Sequence, residues 1–369
     1  KNPPETLIMN DKAIQRPSAE NLYRDELERL IDWDPGPAPP GWKMSPFAVE
    51  KFILGDDKLG IQRKFVAQRE LVTRIIISLA TNRGAMLIGE PGTAKSWLSE
   101  LLASAISGQS TLTIQGGAIT NVSQLLYSWN EALLKSAGPT PEALIPSPVY
   151  QGMMEGQLVR FEEIARCPQH IQDAMLSIMS ERQILVPELG RENGVLFARE
   201  GFNIIATSNS LDQGVNAMSA ALKRRMNFET IPPIRELQDE IEVVASESEK
   251  LIRLSGVDVK PDAQIIEVLT TIFHELRNGQ TLDGRSTDRL AATVMSTAEA
   301  VSVAHAMGVH AYYYRNGKME MGDLVHFLIG AALKDNKDDR RRMKHYFESE
   351  VAVKEGAHWQ AVFEQRRLL

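Results

Sequence analysis

The residues best suited to chemistry begin with Gly89-Glu90-Pro91-Gly92-Thr93-Ala94-Lys95-Ser96, which has the spacing of a phosphate-binding loop. It follows the short apolar run Ala85-Met86-Leu87-Ile88 and precedes a stretch, 96–106, that reads as a helix. In that strand–loop–helix setting, successive backbone N–H groups and the helix N-terminus form a nest for an anion. Lys95 can reach the outer phosphates of a nucleotide and the Ser96 hydroxyl can hold Mg²⁺. Gly89 to Ser96, with Trp97 directly after them, are the candidate nucleotide-binding residues. Ala94 stands where the general pattern has glycine, and its methyl is accommodated if φ there is negative. Alone, this loop promises only a bound nucleotide phosphate.

A second group gives that phosphate something to react with. Gln157-Leu158-Val159-Arg160-Phe161-Glu162-Glu163 is an apolar strand ending in two carboxylates. Acidic residues at the C-terminal end of a parallel strand sit at the ligand edge of such a sheet. Glu162 would orient Mg²⁺, directly or through water, and Glu163 would act as general base on the attacking water. Glu162 stands where Asp is usual and is one methylene longer. The strand 202–207 then runs into Thr207, Ser208 and Asn209, where Asn209 could position the water and read the γ-phosphate. Arg224 and Arg225 follow too soon after Asn209 to fold back on their own site. They suit a neighbouring subunit's phosphate.

Elements able to position these groups follow from the hydrophobic pattern. Residues 68–80 read as a helix, and 85–88, 111–115, 157–161, 202–207 and 227–231 as short buried strands with helical stretches between them. Alternation of this kind implies a parallel sheet covered on both faces. From Pro233 to about Ala332 the pattern becomes helical, which marks a boundary. The proline-studded 1–49 segment, interrupted by a helix-like stretch at 19–33, reads as a packed arm, and Lys334–Leu369 as a highly charged end whose Asp338-Asp339-Arg340-Arg341-Arg342 run is a solvated helix face. The expected divisions are 1–49, 50–232, 233–340 and 341–369.

Composition bounds the class. The 369 residues are 43% hydrophobic and 24% charged, ordinary for a globular protein. One cysteine, Cys167, excludes an internal disulfide and a Cys-rich zinc site, in keeping with a reducing compartment. It falls just after the acidic pair and reads as a packing residue. Net charge is −7, so no global field favours nucleic acid. No apolar run is long enough to span a membrane, and no signal peptide is visible behind Lys1. These features point to a cytoplasmic location. His305, His310, His326 and His345 show no metal-ligand spacing, and Tyr312-Tyr313-Tyr314 are an interface or core of the helical domain, with core the favoured reading.

In order and spacing these motifs resemble those of AAA+ ATPases, specifically the MoxR family. The loop Gly89–Ser96 looks like that family's phosphate loop, which often has Ala before Lys. Phe161-Glu162-Glu163-Ile164-Ala165-Arg166 looks like its Asp-Glu-Ile-Asn-Arg motif, and 169–183 matches its following Ala-Leu-Leu-Glu-Ala-Met-Glu-Arg-Gln pattern. Ala206-Thr207-Ser208-Asn209 is similar to sensor 1. Gly284-Arg285-Ser286-Thr287-Asp288-Arg289 is similar to sensor 2, with Arg289 as the phosphate-facing arginine. Departures are Glu162 for Asp, Ser147-Pro148 for Gly-Pro, and Arg225-Met226 for Arg-Phe. The last alignment favours Arg225 over Arg224 as the arginine finger.

The resemblance covers roughly 50–310. It implies an αβα P-loop core with a five-stranded parallel sheet, followed by a small all-helical lid. It further implies ATP and Mg²⁺ as cofactors, a homo-oligomeric, hexameric ring, and ATP held between subunits. The 116–156 segment would carry the helix-2 insert, around 121–135, and 183–199 the pre-sensor-1 hairpin, with strands 184–188 and 195–199 around 190–194. Both usually engage a client. The activity implied is ATP hydrolysis coupled to remodelling or maturation of a partner protein, often one with a von Willebrand A domain. A DNA-directed ATPase is the first alternative, disfavoured by the mixed charge of Glu188, Arg191, Glu192 and Arg199 on the hairpin and of Glu131 and Lys135 on the insert. A slow-turnover, ATP-switched assembly module is the second, supported mainly by Glu162.

Overall fold

The computed structural model describes residues 15–190, 194–209, 218–291, 294–334 and 336–369. The expected hairpin tip, with Arg191 and Glu192, and the first 14 residues of the arm lie outside them. Five parallel strands form one sheet in the order β2 (Thr113–Gln115), β5 (Leu158–Glu162), β8 (Asn203–Asn209), β1 (Gly84–Gly89), β9 (Met226–Thr230). The registers pair Gln115 with Glu162, Phe161 with Ala206, and Gly89 with Asn209. The phosphate loop, the acidic pair and Asn209 therefore leave the sheet at the same edge, its ligand-binding side.

Strand alternation sends successive side chains to opposite faces. Ala85, Leu87, Leu158 and Ile205 point into a cluster with the Arg69–Leu79 and Lys95–Ser107 helices. Met86, Val159, Phe161, Ile204 and Ala206 point into a second cluster with the Pro148–Glu155 and Gln169–Glu181 helices. Near-continuous apolar strands are what two covered faces require.

The arm belongs to the first cluster. Ala19, Tyr23, Leu27 and Leu30 are buried there. Glu20 accepts hydrogen bonds from the Ser104 and Ser110 hydroxyls at 2.9 and 2.7 Å. Those bonds hold its carboxyl below the usual range although burial pushes the other way.

The insert holds a short helix (Val122–Leu125) and the antiparallel pair β3 (Tyr127–Trp129) and β4 (Leu144–Pro146), with the Glu131–Ala137 helix between them. The second hairpin pairs β6 (Gln183–Leu185) with β7 (Val195–Phe197). It is shorter than the sequence suggests, because Pro187–Leu189 turns into a 3₁₀ segment. The Tyr127 hydroxyl donates to Glu188 at 2.9 Å, joining the two elements.

The main core of the helical domain is built around Val244, Phe273, Met307 and Leu328, with a smaller cluster of Ile252, Val257, Val259 and Ala311 beside it. Met343, Tyr346, Phe347, Val351, Trp359 and Val362 enter the same core, so the expected division at 340 cuts through it and the charged end is part of the lid. The charges mislead because Lys337–Arg342 encircle the start of the Lys337–Ser349 helix, and the run expected to be a solvated face is corrected at Asp339, which is buried on the same side as Met343, Tyr346 and Phe347. Its buried Tyr346 hydroxyl donates to Glu275 at 2.5 Å, and Arg340 donates to the Leu369 carbonyl at 2.7 Å.

Tyr312, Tyr313 and Tyr314 correct another expectation: they are 46, 65 and 78% exposed. The Thr297–Tyr314 helix already presents Ala300, Val303, Ala304, Met307 and Ala311 to the interior. Tyr312 and Tyr313 fall off that stripe, and Tyr314 ends the helix. Among the described residues, no helix is long and apolar enough to cross a membrane.

Candidate functional site

The phosphate loop is a tight turn between β1 and the Lys95–Ser107 helix. Gly92 has φ +79° and lies so close to the lid that an added Cβ would sit 2.3 Å from Ser296 Cβ. Ala94 has φ +60°, so the expected negative value is corrected. The methyl remains exposed, and the left-handed backbone costs roughly 1–2 kcal/mol. Such strain at a loop that must point its N–H groups inward is consistent with a binding site. Thr93 Oγ1 donates to the Glu90 carbonyl at 2.9 Å, and Lys95 Nζ donates to the Gly89 and Glu90 carbonyls at 3.0 and 2.7 Å.

Glu162 is the centre of the site. It is 3% exposed. Its Oε2 accepts from Ser96 Oγ at 2.6 Å and Thr207 Oγ1 at 2.7 Å. Its Oε1 accepts from Ser99 Oγ at 2.6 Å and Arg160 Nη2 at 3.0 Å. Burial raises the carboxyl, but the hydroxyls of Ser96, Ser99 and Thr207 and the charge of Arg160 hold it below its ordinary value. Thr207 also accepts from the Glu163 N–H at 3.0 Å, tying both acids to β8. Hydroxyl and carboxylate meeting in this way are hard oxygen donors of the kind Mg²⁺ takes, and nucleotide phosphates would complete the set. Ser96 and Glu162 therefore fit that metal. No cluster of three or more His, Cys, Asp or Glu suited to a metal occurs among the described residues.

Glu163 sits at φ +52°, with its carboxylate paired to Arg166 Nε at 2.9 Å and its side chain 40% exposed. Gly116, at the end of β2, lies against it; a Cβ there would come within 2.2 Å of the Glu163 carbonyl. Asn209 ends β8 beside Gly89.

A cleft of about 710 Å³ runs from the loop to the lid. Glu90–Ala94, Trp97, Phe65, Val66, Pro232 and Ile234 line it from the core, and Val243, Arg277 and Ser296–Ala298 from the lid. Arg16 reaches it from the arm.

Arg289 is placed elsewhere. Its Nε donates to the Arg277 carbonyl at 3.0 Å, and Arg277 is the lid arginine on the cleft wall. Arg277 forks onto Glu240 at 2.7 and 2.6 Å, with His274 and Thr297 completing the set. Those bonds and the Arg277 charge outweigh burial and hold Glu240 down at about 2. The finger candidates also divide. Arg225 is held within its own chain by the Ser180 hydroxyl and, at 2.9 Å, the Ala221 carbonyl, whereas Arg224 is exposed.

Sequence reasoning passed over Arg160, Ser99 and Glu100. A charged residue inside an otherwise apolar buried strand was the available signal for Arg160. Cys167 is buried, its thiol pushed up to about 11 by burial, as a packing residue would be.

Residues 84–226 match the AAA domain of the dynein-related subfamily, and residues 238–369 match the C-terminal domain of YehL-like AAA+ ATPases. The uncharacterized protein YehL of Escherichia coli K12 is 52% identical over 357 residues, covering 96% of this chain and 98% of that protein. The chain belongs to the YehL-like AAA+ ATPase family. More distant are the solved structures of NtrX from Brucella abortus in complex with ATP (13% identity, TM-score 0.48) and the Thermotoga maritima RuvB Holliday junction branch migration motor (13%, 0.43). The chain spans 61% of the NtrX chain and 88% of the RuvB chain, with 80% and 83% of its own length covered. As a YehL-like AAA+ ATPase the protein hydrolyses ATP, and Mg²⁺ is the standard metal of such ATPases.

Proposed function

We propose that this YehL-like ATPase works as a MoxR-type ring, hexameric and cytoplasmic, that remodels or matures a partner protein, with a von Willebrand A domain protein as the leading candidate. AAA+ proteins are commonly oligomeric. In this reading Lys95 and the loop N–H groups hold the phosphates, and Ser96 and Glu162 would hold Mg²⁺, which would supply charge neutralisation at the phosphates. Glu163 takes the proton of the attacking water and Asn209 orients that water. Arg224, being exposed, is better placed than Arg225 to reach a neighbour's phosphate. The lid's link to the nucleotide runs through Arg277 and the start of the Thr297–Tyr314 helix, with Arg289 supporting Arg277 from behind.

The observation that carries the protein-partner reading is the chemistry of the projecting elements. Leu185, Val195 and Phe197 of the hairpin are 56, 39 and 65% exposed, and Leu133 and Ile145 of the insert 40 and 47%. Apolar exposure of this kind suits a polypeptide and gives no track for phosphates. The test uses a Glu163→Gln ring locked with ATP and a purified von Willebrand A domain protein. Leu185→Ser/Phe197→Ser should abolish capture while ATP binding persists. Turnover stimulated by DNA and lost at high salt would replace this reading with the DNA-directed one.

A further inference from the structure

Arg160 occupies an unusual place. Its strand neighbours Val159 and Phe161 are fully buried, and Arg160 itself is 8% exposed. Every nitrogen of its guanidinium is engaged. Nε donates to Ser99 Oγ at 2.9 Å, Nη1 to the Ser110 carbonyl at 3.1 Å, and Nη2 to the Ser96 carbonyl at 3.0 Å. One cation thereby faces two buried carboxylates, Glu162 at 3.0 Å and Glu100 at 3.7 Å. Glu100 is 2% exposed and also accepts from the Arg16 guanidinium at 2.8 Å and the Ala19 N–H at 3.2 Å.

We propose that Arg160 is a built-in counter-ion for Glu162, a positioning residue that fills the charge role of the metal until Mg²⁺ arrives already bound to ATP. This rests on the reading of Ser96 and Glu162 as the Mg²⁺ site. Buried carboxylates need an opposite charge. Mg²⁺ dehydrates reluctantly and is normally held by one or two carboxylates together with substrate phosphates. A Glu162 already balanced by Arg160 offers bare Mg²⁺ too little charge to strip its water. Mg²⁺ carried on a triphosphate brings its own anion and needs from the protein only the Oε2 side, where Ser96 sits. The opposite oxygen, Oε1, stays clamped by Arg160 and Ser99. That clamp also fixes the longer Glu side chain in a role usually filled by Asp.

The test is Mn²⁺ binding to the full chain, followed by the EPR signal of free Mn²⁺. Without nucleotide the wild type should show no saturable site. Arg160→Gln should gain one site per chain, at least about tenfold tighter than any wild-type binding, as buried Glu162 loses its counter-ion while Glu100 keeps only Arg16. Adding Glu162→Gln should remove that site, and Arg160→Lys, which keeps the charge, should behave as wild type. A folded Arg160→Gln chain that gains no site would overturn the proposal. So would a nucleotide-free wild-type site that Glu162→Gln abolishes, whether or not Arg160→Gln folds. Mn·ATP binding to the wild type, weakened by Glu162→Gln, checks the metal-site reading separately.

Discussion

Two buried carboxylates, Glu162 in the core and Glu240 in the lid, are built from almost the same parts. Each has an arginine, Arg160 or Arg277, and each accepts from a threonine, Thr207 or Thr297. They differ in how the arginine holds. Arg277 grips both oxygens of Glu240. Arg160 reaches only Oε1 of Glu162, leaving Oε2 to the hydroxyls of Ser96 and Thr207. A hydroxyl can rotate its proton away and present a lone pair to a cation, whereas a two-pronged guanidinium cannot be exchanged so cheaply. The same residue types thus make a permanent lock in the lid and an exchangeable site at the sheet edge.

Breaking the lock should have the largest effect. Glu240→Gln leaves Arg277 buried without its partner and should cost roughly 3–5 kcal/mol in urea unfolding. A loss below 1 kcal/mol would show that Arg277 is solvated and that the two sites differ less than their geometry suggests. Next comes Glu162→Gln, which should lower ATP turnover by roughly 10²–10³-fold by weakening the metal. Its cost to nucleotide-free stability should be smaller than that of Glu240→Gln, because Arg160 keeps Glu100. Equal costs would erase the distinction between lock and exchangeable site.

The smallest effect is in acid. The Glu240 carboxyl is depressed from 4.5 to about 2 in the fold. Its contribution is therefore complete above the unfolded value and fades as pH falls from about 4.5 toward 2. By pH 3.5 about 1.4 kcal/mol should be gone. The stability gap between wild type and Glu240→Gln should shrink by that amount between pH 6 and 3.5. An unchanged gap would mean that Glu240 is not depressed.

What the sequence displayed was local. Gly89–Ser96 and the run into Glu162-Glu163 are contiguous, and each carries its own strand signal. Parallel pairing then brings Asn209 beside Gly89 with no further information. Long-range choices were hidden. The lid arginine on the cleft is Arg277 because the Leu237–Leu254 helix brings Glu240 to it, a pairing across 37 positions that no motif spells. The positive φ of Ala94 is imposed by the loop against alanine's own preference. The charged end 341–369 concealed its core side because the apolar positions are few among many charges. The three tyrosines looked like core since aromatic residues usually are, but the small residues of their own helix had already taken that side.

Trp97 follows Ser96 directly, lines the cleft, and stands with its ring centroid 6.3 Å from that of Tyr23 in the arm. Its indole N–H is buried without a partner among the described residues. Indole emission depends on polarity and hydrogen bonding near the ring. Trp97 is the one tryptophan lining the cleft, so its fluorescence gives the protein an intrinsic optical signal for nucleotide entering the site, free of any attached dye, with Trp97→Phe as the blank.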